Sequence, residues 1–323
     1  MFDVITIGSS TRDVLIKSDD FKVVEDKASE TGLEECLPLG AKIEVKEIVF
    51  TTGGGGSNTA VTFARQGFAT ACIGVVGNGP NGQEVLNDLI KEGVETKFFQ
   101  NRTNDRTAYS VILVHSSGER TILSYKGEGQ NFDVGKIPLN ELQAQWFYID
   151  SIGGHYDLLE AVVNHAVKNN IKIAMNPGTK EIMQGLEKLK PILEHVDIYI
   201  TNKEEAEELV GKGEWEEVTD KLKEHIPGIV IVSDGHSGVR VVDSDKNHYE
   251  ASVPDSPVIE RTGAGDAFGS GFVCEYIRSG DVSKAIQFAT ANASSVVTQF
   301  GAKAGILKKD DWGPWPLVEI TKK

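Results

Sequence analysis

Cysteine is scarce in this chain: Cys36, Cys72 and Cys274 are the three thiols in 323 residues, far apart and in no metal-binding spacing. An odd, scattered set argues against a disulfide framework and points to a reducing compartment. Long apolar runs are also missing. No stretch approaches the roughly 18 apolar residues of a membrane span. The opening MFDVITIGSS lacks the basic region and apolar run of a secretory signal, so the expectation is a cytoplasmic protein. Positive charge is in deficit, with 33 Lys and Arg against 48 Asp and Glu and a formal net charge of −15. That balance argues against non-specific binding to nucleic acid or anionic membranes. It leaves a phosphate ligand open, because free N–H groups at a helix start bind phosphate whatever the total charge. The seven histidines form no H-E-x-x-H and the cysteines no C-x-x-C, which removes the usual zinc hydrolase patterns.

Apolar runs of strand length alternate with helical patterns along most of the chain. Strands are expected over 4–7, 71–76, 146–149, 171–175, 197–201 and 228–232. Helices are expected over 58–66, 82–92, 158–168, 181–193 (bent or shortened by Pro191), 203–210, 264–278 and 282–298. Short, continuously apolar strands separated by helices imply βαβ units and a parallel sheet, whose ligand sits beyond the carboxyl ends of the strands. Two segments break the alternation. Residues 14–51 are long and charged, with a strand expected over 41–50. Residues 98–125 hold apolar runs at 108–115 and 120–125 around Ser116-Ser117-Gly118, the chemistry of a hairpin turn. Together they are expected to form a small, discontinuous β lid over a main α/β domain made of 1–13, 52–97 and 126–323.

Four segments carry the chemistry. In Glu260-Arg261-Thr262-Gly263-Ala264-Gly265-Asp266, small residues allow close approach of a ligand to backbone just where a new helix presents free N–H groups. A carboxylate in such an anion cradle would repel a phosphate. It makes sense if Asp266 takes a proton from a hydroxyl attacking that phosphate; otherwise it is an acid favoured by the helix dipole. In Thr51-Thr52-Gly53-Gly54-Gly55-Gly56-Ser57-Asn58, four glycines precede a helix, with no Lys-Ser or Lys-Thr to make a Walker loop. Asn58 either bonds a substrate hydroxyl or caps that helix. Asn202 and Glu205 lie within one turn and either orient a hydrated Mg²⁺ or cap a helix start. Ser233-Asp234-Gly235-His236-Ser237-Gly238 follows an apolar strand and either lines a nucleotide pocket or is a plain turn.

Taken in order, these segments resemble the ribokinase family of sugar and nucleoside kinases, the PfkB-type carbohydrate kinases. The glycine-rich signature matches residues 53–67, the C-terminal signature residues 260–272, and the Asn-x-x-Glu element Asn202 and Glu205. The resemblance implies a three-layer, doubly wound, mostly parallel sheet with a β lid, and ATP-dependent phosphoryl transfer to a sugar or nucleoside hydroxyl. It implies Asp266 as base and the backbone of Ala264, Gly265 and Asp266 as an anion hole, with Gly263 beside them in the catalytic turn. Asp13, Gly54, Gly55 and Asn58 would hold the substrate. Asn202, Ser233, Gly235, Gly238 and Asn292 would line the nucleotide, with Glu205 on Mg²⁺ through water. The lid would cover the substrate and pair in a homodimer. Departures from the ribokinase pattern are visible: Thr11 replaces Asn, Gly55 replaces Lys, and Glu260 replaces Asp. The first two put ribose in doubt and the third puts monovalent-cation activation in doubt.

Two other classes compete. Gly77-Asn78-Gly79-Pro80-Asn81-Gly82 is a formal G-x-G-x-x-G, but Phe99-Gln100-Asn101-Arg102-Thr103 lacks the acid a dinucleotide site needs. A non-catalytic binding or regulatory protein on the same fold remains the alternative. Retention of Asp266, Asn202 and Glu205 speaks against it.

Overall fold

The computed structural model describes residues 1–29, 32–104, 106–115 and 120–323. Strands β1 (Phe2–Ile7), β6 (Thr70–Ile73), β11 (Ala144–Ile149), β12 (Lys172–Met175), β13 (Ile198–Asn202) and β14 (Ile229–Ser233) form one parallel array in the order β14-β13-β12-β11-β1-β6. Beyond β14 the sheet continues antiparallel through β15 (Val239–Val242), β16 (His248–Ala251) and β17 (Ile320–Lys322). The parallel strands are almost wholly buried and built from β-branched and aromatic residues, as strands covered on both faces must be.

Helices cover both faces. On one lie α3 (Tyr156–Asn169), α4 (Thr179–Ile182), α5 (Leu186–Leu193), α6 (Lys203–Val210) and α7 (Trp215–Lys223), packed through residues such as Leu158, Leu189 and Leu222. On the other, α1 (Gly55–Arg65), α8 (Ala264–Ser279) and α9 (Val282–Val296) bring Phe63, Phe272 and Phe288 onto the sheet. Helix α2 (Pro80–Lys91) joins them through Val85 and Leu89. The result is the expected three-layer, doubly wound architecture.

A second sheet stands over the carboxyl ends of the parallel strands. Its order is β10 (Arg120–Tyr125), β9 (Ala108–Val114), β2 (Thr11–Lys17), β5 (Glu47–Gly53). Alternation along β2 turns Asp13 and Leu15 toward the main body, where Leu15, Ile112 and Val114 pack with Phe300. A small hairpin of β3 (Lys22–Glu25) and β4 (Leu33–Cys36) accounts for part of the long charged segment.

Several expectations need correction. The strand expected over 41–50 is β5, shifted toward the glycine run. The helix expected over 181–193 is two helices, and the break is at Gly185, whose φ of 83° no helix accepts, while Pro191 sits inside α5. Residues 98–104 do not join the lid sheet; β8 (Gln100–Arg102) pairs in parallel with β7 (Val75–Gly77), so the strand expected over 71–76 is split between two sheets. The runs at 108–115 and 120–125 do pair antiparallel, and their expected turn, Ser116-Ser117-Gly118, lies outside the described residues. Helix α7 and strands β15 to β17 had no counterpart among the expected elements.

Candidate functional site

Asp266 lies in the first turn of α8. The helix is started by Gly263 at φ 80°, where a Cβ would fall 2.4 Å from that of Ala302. Glycine is therefore required both by the left-handed backbone and by the close packing. Ala264 N–H reaches Arg261 O at 3.4 Å and Ala267 N–H bonds Gly263 O at 2.9 Å, so the N–H groups of Gly265 and Asp266 belong to the unsatisfied helix start. Asn58 on α1 donates Nδ2–H to Asp266 Oδ2 at 2.7 Å. Burial pushes the Asp266 carboxyl up, against the Asn58 hydrogen bond and the charge of Lys303, which pull it down.

Asp150 directly follows β11 and was not singled out from sequence. One of its oxygens accepts the Ser151 N–H at 2.7 Å. A Cβ on Gly55 would fall 1.8 Å from that oxygen, so the glycine run lets α1 begin directly against this carboxylate. Burial first, and then the neighbouring charge of Asp266, hold the Asp150 carboxyl well above the usual range. Asp13 reaches in from the lid sheet, with a Gly53 Cβ excluded by its Oδ2 at 2.0 Å. Burial raises its carboxyl too, opposed by hydroxyls of Thr11 and Ser110 and by Lys303.

These groups are linked through the Asn58–Asp266 hydrogen bond, the charge interaction of Asp150 with Asp266 and the glycines at 53 and 55, and they leave several polar atoms open. Ser10 Oγ, Asp13 Oδ1, Asn58 Oδ1 and Asp150 Oδ2 are buried with no hydrogen-bond partner among the described residues. Buried polar groups are nearly always partnered, so four orphans from three segments call for a ligand rich in hydroxyls. The cationic counterweight is Lys303, buried, with Nζ 2.6 Å from Thr52 Oγ1 and 3.0 Å from Asp88 Oδ2.

On the other side of Gly265 opens a cavity of about 620 Å³. Ser233, Gly235 and Gly238 line it from the connection between β14 and β15, and Ala264 and Gly265 close its inner end. That connection is thus both a hairpin turn and a cavity wall. Asn292 is on the adjoining helix as expected but does not face the cavity. It is fully buried, donating Nδ2–H to Ala267 O at 2.8 Å and accepting from Leu307 N–H at 2.9 Å, and Thr290 and Ser294 line the cavity instead.

Asn202 and Glu205 form a reciprocal cap on α6. Asn202 Oδ1 accepts the Glu205 N–H at 2.8 Å, and Glu205 Oε2 accepts from Asn202 N–H at 3.3 Å and Thr201 Oγ–H at 3.1 Å. Asn202 is paired in register with Ser233, at the cavity margin. Burial raises the Glu205 carboxyl. Among the described residues no cluster of three His, Cys, Asp or Glu is arranged to hold a metal ion. A cation here would keep most of its coordination in water and phosphate, the habit of Mg²⁺. Among the described residues no helix is long and apolar enough to cross a membrane.

Comparison with known proteins bears directly on this geometry. Residues 2–309 match the model of the pfkB family carbohydrate kinases. A ribokinase of Bacillus subtilis is 27% identical over 316 residues, covering 96% of this chain and 98% of its own. A nucleoside kinase of Methanothermobacter thermautotrophicus is 23% identical over 304 residues, covering 94% of this chain and 92% of its own. Among solved structures, the ribokinase of Giardia lamblia superposes with a TM-score of 0.78 at 20% identity, covering 96% of this chain and 97% of that one. With the family model matching nearly end to end, the chain belongs to the pfkB family of carbohydrate kinases.

Proposed function

We propose that this kinase transfers the γ-phosphoryl group of ATP to a hydroxyl of a sugar or nucleoside, with Asp266 as the general base. The observation that carries the reading is the juxtaposition at α8. Asp266 stands between a hollow of orphaned hydroxyl-binding atoms and a cavity large enough for a nucleotide. The acceptor lies in the hollow against Asp13, Asp150 and Asn58, under the lid sheet, with the backbone at Gly54 and Gly55 close by. Asp266 removes the proton of the attacking hydroxyl. The N–H groups of Ala264, Gly265 and Asp266 take up charge on the phosphoryl oxygens as the bond to the leaving oxygen breaks.

ATP lies along Ser233, Gly235 and Gly238. The donor set at its phosphate end, Asn202 and Glu205, suits a hydrated Mg²⁺ held mainly by phosphate, and such an ion would neutralise charge on the transferring group. A solved relative described as a ribokinase II from E. coli holds ATP and Mg²⁺. The relatives' names span ribose and nucleosides, so the acceptor is stated as a class. The free thiols and the class of substrate support a cytoplasmic enzyme, and the exposed apolar residues of the lid support pairing with a second copy.

The test is ADP release with ATP–Mg²⁺ across pentoses, hexoses, their phosphates and nucleosides, with Asp266→Asn alongside. Acceptor-dependent turnover that falls by about 10² or more in Asp266→Asn, with acceptor KM little changed, is the expected result. Near-normal turnover in that variant removes Asp266 from the base role.

A further inference from the structure

Glu260 is a fully buried carboxylate set two residues before the turn that starts α8. Its Oε1 accepts the Thr262 N–H at 2.5 Å, and its own N–H and that of Ile259 bond the carbonyl of Val297, just past α9. Glu260 therefore pins the segment that carries the anion hole to the end of α9. A buried carboxylate is costly unless compensated. The ion pair that compensates it in part comes from the lid and falls on Oε1, while Oε2 is buried without a hydrogen-bond partner among the described residues. Arg120, at the start of β10, places Nε 3.4 Å from Glu260 Oε1 and 3.0 Å from Thr262 Oγ1. Arg120 also borders the 620 Å³ cavity beside Gly265 and remains 27% exposed.

From this we infer that Arg120 is a positioning residue that couples seating of the lid sheet to assembly of the anion hole. The inference rests on the kinase reading. With the lid seated, the guanidinium neutralises Glu260 and holds Thr262, so the Gly263–Asp266 turn is fixed. With the lid lifted, Glu260 keeps its burial and loses its counter-charge, and the same turn loses a hydrogen bond at its base. The hole is then complete only when acceptor has drawn the lid down, which confines phosphoryl transfer to the loaded, water-excluded site.

The experiment uses Arg120→Ala, Arg120→Lys, Glu260→Gln and the double variant Arg120→Ala/Glu260→Gln on the full chain, with an acceptor on which wild type turns over. Arg120→Ala should lower kcat about tenfold or more while KM for ATP and acceptor stays within about threefold, the pattern of a loss felt in the transition state. Arg120→Lys should recover part of it, and the double variant should be no worse than the poorer single variant. Independently of turnover, hydrogen exchange at 261–266 with ADP, Mg²⁺ and acceptor bound should quicken in Arg120→Ala. Unchanged kcat and unchanged exchange overturn the inference, as does an ATP KM raised about tenfold at constant kcat, which would make Arg120 a simple nucleotide contact. Multiplicative effects in the double variant overturn it too. Loss of Asp266 dependence in wild type is a different failure: it would sink the kinase reading itself.

Discussion

Asp266 receives a hydrogen bond from Asn58 and feels the charge of Lys303, whereas Asp150 has the Ser151 N–H and is opposed by the charges of Asp266, Glu181 and Glu205. Two carboxyls pushed up by burial in one hollow do not both ionise freely, and the proton goes to the less supported one. On the proposed reading Asp150 holds the proton and donates a hydrogen bond to the acceptor, and Asp266 is the ionised base. Since a base works only when ionised and burial raises the Asp266 carboxyl, kcat/KM should fall with falling pH well before the ordinary carboxylate value of about 3.9. Lys303→Met removes a charge that lowers it, so the acid limb should move to higher pH. A pH profile of kcat/KM flat down to pH ~4 would contradict the assignment. Asp150 carries a stability consequence of opposite sign to a salt-bridged acid. A carboxyl raised on folding favours the folded state below its unfolded value and loses that advantage as pH rises toward its folded value. Asp150→Asn should accordingly raise Tm near neutral pH, with the gain vanishing in acid, while acceptor KM rises. Thermal scans beside acceptor titrations check both signs.

At the scale of elements, legibility depended on whether a role was written locally. Helix α6 begins and ends where expected because Asn202-x-x-Glu205 is itself the cap. Parallel strands announced themselves by being apolar throughout. Strand β2 did not, because Arg12, Asp13 and Lys17 interrupt its apolar centre and one face of it serves the site. Helix α7 shows Trp215, Val218 and Leu222 at helical spacing in an otherwise polar segment. Asp150 was invisible because its role is made by Gly55 and Asp266, distant in sequence, although an acid closing an apolar strand is a usable signal. Lys303, between glycines at 301 and 305, gave a similar hint. Asn292 was placed on the right helix and the wrong face, a distinction set by Leu307 and Ala267. The α6 cap allows a prediction that separates its two duties. Asn202→Ala should cost about 1 kcal/mol of stability as a lost cap and also raise the Mg²⁺ needed for half-maximal rate. A stability loss with an unchanged Mg²⁺ titration would leave Asn202 a cap alone.

For the whole molecule, the question is what meets the far side of the lid. Strand alternation that turns Asp13 and Leu15 inward turns Arg12, Val14 and Ile16 outward, and the register aligns Phe50, Val14, Val111 and Leu123 in one row across the sheet. On that outer face Ile48 is 53%, Phe50 57%, Leu123 56% and Tyr125 54% exposed. Large apolar side chains clustered on one sheet face, rimmed by polar residues, mark an interaction surface. The pairing proposed above would put a second copy here, because a two-fold axis would set the same apolar row against itself. The lid's inner face holds Asp13 and Arg120, so a partner bracing the outer face would stiffen the contacts the acceptor needs. Phe50→Asp should therefore shift the protein from dimer to monomer in sedimentation at micromolar concentration. It should also raise acceptor KM several-fold while leaving ATP KM unchanged, since the nucleotide cavity is built mainly from the main body. A wild type that sediments as a monomer, or a Phe50→Asp variant that stays dimeric, would move the interface elsewhere. A monomeric variant with unchanged acceptor KM would show that pairing does not support the lid.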